Sequence, residues 1–253
     1  MRLFVFGLGY TAKAVIEALD GWNVEATGAD GTVAFDDDEG VRAALARATH
    51  VLSSVPPDAA GDPVLARYGD ARGHVWLGYL SSTGVYGDTG GAWVDERAPV
   101  GLGRRGARAA ADLAWLARGA RVLRLPGIYG LGRSPLDRVR EARAHRIDLP
   151  GQVFSRVHVA DIATGCVAAL SGPPGAYNLA DDLPASGNAV TEEACRLLGV
   201  APPPLQTLEQ AGLSPQARAF YAENRRVANG KAKRVLGWRL RYPTYREGLA
   251  SLL

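Results

Sequence analysis

Met1-Arg2-Leu3-Phe4-Val5-Phe6 reads as a strand, and it runs straight into Gly7-Leu8-Gly9-Tyr10-Thr11-Ala12 and then a helical pattern. Strand, G-x-G-x-x-A and helix, in that order, open a dinucleotide-binding βαβ unit. Gly7 permits the tight turn. Gly9 has no side chain to hold the backbone away from a pyrophosphate, and Ala12 lets the helix pack close to the strand. The helix N-terminus then offers unpaired N–H groups and a positive dipole end to the phosphates. A glycine triplet alone often marks only a tight turn; the strand before it and the helix after it give this one its meaning.

Further on, strands and helices alternate. Asn23–Thr27 and Thr32–Phe35 read as strands two and three, Gly40–Ala48 as a helix, and His50–Ser54 as a strand stopped by Pro56-Pro57. Pro63–Arg72 reads as a helix, Val75–Ser81 as a strand, Ala107–Arg118 as a helix and Arg121–Leu125 as a strand. Such alternation implies a doubly wound parallel sheet. After about residue 130 the pattern loosens into helices at Pro135–His145, Ala160–Leu170 and Val190–Leu198, with a short strand at Ala176–Leu179. The expected fold is therefore α/β, a Rossmann-type sheet with a smaller C-terminal substrate lobe. Residues 1–130 would form the dinucleotide-binding domain. Residues 131–253 would form mostly the lobe, with segments returning to the core.

The 253 residues suffice for such a plan, and an apolar share of 47% is ordinary for a globular chain. No apolar stretch reaches membrane-span length, and Gly7 and Gly9 interrupt the first apolar run before it resembles a signal segment. Cys166 and Cys195 form no C-x-x-C pair, and His50, His74, His145 and His158 have no ligand spacing. A cytoplasmic, reduced, metal-free protein is the expectation. The net charge of +3 raises the question of nucleic acid. However, the arginines are scattered among acids, and Lys13, Lys231 and Lys233 are the only lysines. Neither nucleic acid nor membrane is expected as a partner; a small-molecule substrate is, with a homodimer left open.

Four ordered blocks resemble the extended and atypical short-chain dehydrogenase/reductase superfamily, and within it the short atypical group of sugar-nucleotide epimerase/dehydratase-like proteins. They are Gly7–Ala12, Tyr79-Leu80-Ser81-Ser82-Thr83-Gly84-Val85-Tyr86-Gly87-Asp88, Arg124-Leu125-Pro126-Gly127-Ile128-Tyr129-Gly130 and Arg156-Val157-His158-Val159-Ala160-Asp161-Ile162-Ala163. Lys233–Trp238 is similar to the family's closing helix. The resemblance implies NAD or NADP as cofactor, with Gly7, Leu8, Gly9, Tyr10, Thr11, Ala12, Asp36, Ser53, Ser54, Ser81, Pro126 and Ile128 along its path. Strand two ends in Thr27-Gly28-Ala29-Asp30 without a basic residue. Asp30, if it points inward, repels a 2′-phosphate, which leans the choice toward NAD.

For chemistry the resemblance implies a hydroxyl at Ser82 and a Tyr-x-x-x-Lys pair on the next helix. That pair is absent. Counting back from Asp112, which looks like the family's helix acid, Arg104 takes the tyrosine position and Arg108 the lysine position. A guanidinium does not deprotonate near neutrality, so Arg104 is no acid or base, whereas Arg108 can hold a ribose hydroxyl or a phosphate. Arg105, in the same run, is expected on a solvated face. Thr83 and Gly84 stand where dehydratases carry acids, which argues against dehydration by that acid/base pair. Catalytic candidates are Ser82 and Arg108. Substrate candidates are Tyr86, Arg133 and Arg156. His158 and Asp161 are expected to be structural, Asp161 as the cap of the helix beginning near Ile162.

The leading expectation is an NAD(P)-dependent oxidoreductase or epimerase acting on a small anionic or sugar-nucleotide substrate. The alternative is a catalytically silent dinucleotide-binding sensor or scaffold.

Overall fold

The structure is a computed structural model and describes residues 1–71 and 76–253. The expected helix end at Arg72, strand start at Val75 and His74 lie outside the described residues. No helix among the described residues is long and apolar enough to cross a membrane.

The first half alternates as the pattern predicts. In order come β1 (Arg2–Phe6), α1 (Tyr10–Glu17), β2 (Asn23–Ala26), α2 (Asp38–Arg47), β3 (His50–Ser53), α3 (Pro63–Tyr68) and β4 (Trp76–Ser82). A short two-residue strand, β5 (Trp93–Val94), interrupts the loop before α4 (Gly106–Ala117), which is followed by β6 (Arg121–Leu125). Local chemistry sets the helix starts. The Asp37 side chain accepts from the Gly40 N–H at the head of α2, and Asp62 caps α3 ahead of Pro63.

The second half contains β7 (Gly127–Tyr129), α5 (Pro135–Arg140), β8 (Arg146–Ile147), β9 (Arg156–His158), α6 (Val159–Ala169), β10 (Gly175–Asn178), α7 (Gly187–Leu198) and β11 (Leu205–Gln206). It ends with α8 (Pro215–Ala219), β12 (Arg226–Val227), α9 (Gly230–Leu236) and α10 (Tyr245–Ala250).

The main sheet is parallel and six-stranded, in the order β10-β6-β4-β3-β1-β2. One face is covered by α1 and α6 around Leu3, Val5, Val15, Leu123 and Ile162. The other is filled by Phe4, Phe6, Val51, Tyr79 and Val122 against Val41, Val64 and Trp115 from α2, α3 and α4. The central strands are therefore mostly apolar on both sides, as a doubly covered parallel sheet requires. β7, α5, α7 and α10 form a separate cluster of Tyr129, Leu136, Val190, Ala194, Tyr245 and Leu249.

Three expected elements differ. Thr32–Phe35 is not a strand; Val33 makes only an isolated parallel bridge to Thr27. The connection after β2 turns too sharply, because Gly31 N–H bonds Gly28 O and Thr32 Oγ1 accepts from Ala26 N–H, closing the end of β2. With no strand formed at Thr32–Phe35, β2 is the sheet edge, and an open groove of about 310 Å³ lies between α1 and β2 beside Leu8, Lys13 and Val24. The helix expected over Pro135–His145 stops at Arg140, where Ala142 adopts a left-handed φ of 52°. Asp161 is not a cap: His158 is the N-cap of α6, and the Asp161 carboxylate accepts from the Arg241 and Tyr242 N–H groups instead.

Candidate active site

Gly7 leaves β1 at φ +84°, a conformation that L side chains avoid. Its N–H bonds Thr27 Oγ1 at 3.1 Å, Leu8 N–H bonds Thr27 O at 2.7 Å, and the Ser54 hydroxyl donates to Gly7 O. The turn is thus fixed from two neighbouring strands. The first helical bond runs from Lys13 N–H to Gly9 O, so the N–H groups of Tyr10, Thr11 and Ala12 lie ahead of it without intrahelical acceptors. No side chain caps α1 and no acid occupies its first turn. A Cβ built on Gly9 meets nothing within 4 Å. The turn therefore has the free donors, the positive helix end and the open space that a diphosphate needs.

Other residues expected along the cofactor path are placed variously. Ser53 is fully buried and its hydroxyl has no hydrogen-bond partner, while Ser54 shapes the turn as described. Ser81 is buried and donates to Asp112 at 2.7 Å. Pro126 and Ile128 are half-buried just beyond β6. In the acidic run after Phe35, Asp37 caps α2 and Asp38 pairs with Arg67 at 2.6 Å; Asp36 is exposed. Asp30 does not face inward: it pairs with Lys13 of α1 at 2.5 Å, both side chains being solvent-exposed.

Ser82 ends β4 at the carboxyl edge of the sheet. Its Oγ accepts from Gly84 N–H at 3.1 Å, which leaves the hydroxyl proton available to a ligand oxygen. Arg105 Nη1 lies 3.5 Å from that Oγ. Arg105, expected on a solvated face, is half-buried, and burial pulls its guanidinium below the usual arginine range, with Arg104 and Arg108 adding repulsion. The one-residue offset from the counted position has a local cause. Regular helix begins only at Gly106, and Arg105 itself has φ −105° and ψ 51°, so helical counting back from Asp112 fails there. Arg104 turns away to Glu223, 3.6 Å from a carboxylate that Arg225 also pairs at 3.0 Å. The Phe220 ring lies over both Arg104 and Arg105. Arg108 points down along β4, with Nη1 on the Tyr79 phenol at 2.9 Å.

Beneath Ser82 lies a buried polar network. Arg124 forks onto Asp112 at 3.0 and 2.7 Å and reaches the Tyr86 hydroxyl at 2.9 Å; that hydroxyl donates to Asn178 at 2.7 Å. Tyr86, a substrate candidate by sequence, is 2% exposed and committed to this network. Burial pushes its phenol up to about 12, and likewise that of Tyr79. Neither is free to exchange a proton at the cleft.

Arg133 and Arg156 part company. Arg133 is exposed on the turn after β7, its guanidinium 5.8 Å from the ring of Tyr10, the first residue of α1. Tyr10 donates to Leu131 O, which fastens that turn to the glycine loop. Arg133 forms no ion pair with a carboxylate among the described residues. Arg156 instead donates to Phe154 O at 3.0 Å and packs over Tyr245 inside the lobe. Burial lowers its guanidinium, against the attraction of Asp181.

Sequence reasoning missed Arg105 and Thr27. The paired arginines just before a helix, and a threonine ending the second strand, were the available signals.

The fold defines a class. A human epimerase family protein, SDR39U1, with NADPH superposes with a TM-score of 0.78 at 16% identity, over 100% of this chain and 99% of that one. The Thermus thermophilus UDP-glucose 4-epimerase complex with NAD gives 0.73 at 20% identity, over 100% and 97%. The chain has the fold of the extended and atypical short-chain dehydrogenase/reductases.

A conserved protein of unknown function from Silicibacter pomeroyi is 42% identical over 99% of this chain and 97% of its own, with a TM-score of 0.86. This chain belongs to the same family as that protein. A 3-diazoavenalumate denitrifying reductase from a Streptomyces species is 33% identical over 153 residues, 56% of this chain. The match spans 48% of that reductase, about half its length. No family model matches the chain.

Proposed function

We propose that this protein is an NAD(P)-dependent enzyme of oxidoreductase or epimerase type acting on a small anionic substrate. The observation that carries the reading is the glycine turn, open at Gly9 and headed by uncapped helix donors, at the same sheet edge as Ser82. The NADPH- and NAD-bound fold neighbours and the Streptomyces reductase support it.

Tyr10, Thr11 and Ala12 N–H groups would hold the diphosphate, with Arg133 alongside. When bound, the nicotinamide would supply or accept hydride. Ser82 would donate its free proton as a hydrogen bond to the substrate oxygen. The neutralised Lys13–Asp30 pair removes the repulsion on which a preference for NAD rested, so either cofactor fits the end of β2.

The test is turnover, followed by nicotinamide absorbance, across a panel of carbonyl compounds and sugar nucleotides with wild type and Ser82→Ala. The reading predicts activity that falls about 100-fold in the variant, within the range for a positioned hydrogen-bonding group. Cofactor binding with no hydride exchange on any substrate would make the chain a dinucleotide sensor instead.

A further inference from the structure

We propose that Arg105 is the substrate-anchoring residue of this cleft, gripping a carboxylate or phosphate oxygen pair beside Ser82. The proposal rests on the reading above and adds to it a residue and a ligand chemistry.

Three observations converge. Arg105, the residue just ahead of α4, reaches Ser82 at 3.5 Å. It forms no ion pair with a carboxylate among the described residues: the acid of this region, Glu223, goes to Arg104 and Arg225. And its stem lies across Gly84, where a Cβ would stand 2.6 Å from Arg105 Cδ and 3.1 Å from Nε. Here the absence of a side chain at 84 makes the room that Arg105 occupies.

This arrangement sets what the site can do. A phenol can both donate and accept a proton, whereas a guanidinium stays charged and cannot. Arg105 therefore supplies a fixed positive charge next to a hydroxyl donor. A half-buried guanidinium beside two further arginines is costly while empty and gains most from a planar oxyanion that accepts two N–H bonds. The Phe220 ring lies 5.5 Å from its guanidinium carbon. A carboxylate and a phosphate share this chemistry, and the test separates them.

Calorimetry on protein saturated with NAD(P) would titrate succinate and inorganic phosphate as separate probes. Wild type is expected to bind at least one. Arg105→Ala should weaken that probe at least 10-fold, and Arg105→Lys should recover part of the loss, because the charge returns without the fork. Gly84→Ala, which leaves every charge in place but fills the space under the stem, should imitate Arg105→Ala. The preferred probe names the anion. Wild type binding neither probe, or Arg105→Ala binding both like wild type, would overturn the proposal. Cofactor saturation is checked first in each variant, so failure to bind NAD(P) counts against the proposed function and not against Arg105.

Discussion

Replacing Asp112 by alanine should leave Arg124 buried at 2% exposure with only the Tyr86 hydroxyl and no counter-charge. Breaking a buried ion pair from one side costs about 3–5 kcal/mol, because the remaining charge stays desolvated. Ser81 also loses the acceptor it reaches at 2.7 Å, roughly another 1 kcal/mol. The sum, about 4–6 kcal/mol, is a large share of the roughly 5–15 kcal/mol that holds a typical domain folded. Replacing both partners, as in Asp112→Leu with Arg124→Met, removes the stranded charge and should recover most of the loss. Urea unfolding followed by circular dichroism measures both variants, with the midpoint moving and the slope unchanged. A single-variant loss below about 1 kcal/mol, or a double variant as unstable as the single, would refute the reasoning.

Other outcomes follow from the same geometry. Burial, with Arg241 adding repulsion, lowers His158 to about 4, so between about 4 and 6.5 the unfolded chain binds the extra proton and this group raises stability as pH rises. Burial raises Asp181 to about 7 against the pull of Arg156, so from its ordinary carboxylate range up to about 7 the folded chain binds the extra proton and stability falls as pH rises. The two slopes oppose each other in wild type; Asp181→Asn should expose the rising one and His158→Gln the falling one in urea midpoints taken from pH 4 to 7. Asp30→Ala should free Lys13 and tighten NADP relative to NAD about 3-fold or more, read by calorimetry, in keeping with the modest strength of an exposed charge. Arg133→Ala should weaken either dinucleotide about 10-fold without moving the unfolding midpoint, as expected for one charge-assisted contact.

The parts of this protein governed by local chemistry were legible in its sequence. The strand into Gly7, the helix after Gly9 and the strand running to Ser81 depend on short runs of neighbours. Residues whose meaning depends on distant partners were not. Tyr86 reads like a cleft phenol until Arg124 and Asn178, far away in the chain, bury it. Arg156 reads like a cleft cation until Tyr245 covers it. Arg104 and Arg105 are indistinguishable by composition, and only the late start of α4 decides which one reaches Ser82. Thr32–Phe35 has the composition of a strand, but Thr32 turns back onto Ala26 and leaves it a single bridge.

Calorimetric titration of NAD and NADP into wild type and Gly9→Val tests the central claim most directly. Gly9 has φ −93° and ψ −175°, which any residue adopts, and open space beyond its Cα, so valine should fold there with a stability change within about 0.5 kcal/mol. The account predicts saturable heat for wild type with at least one cofactor, and none for Gly9→Val, whose side chain fills the diphosphate position. No heat from wild type with either cofactor at millimolar concentration, or equal binding by the folded variant, would contradict it.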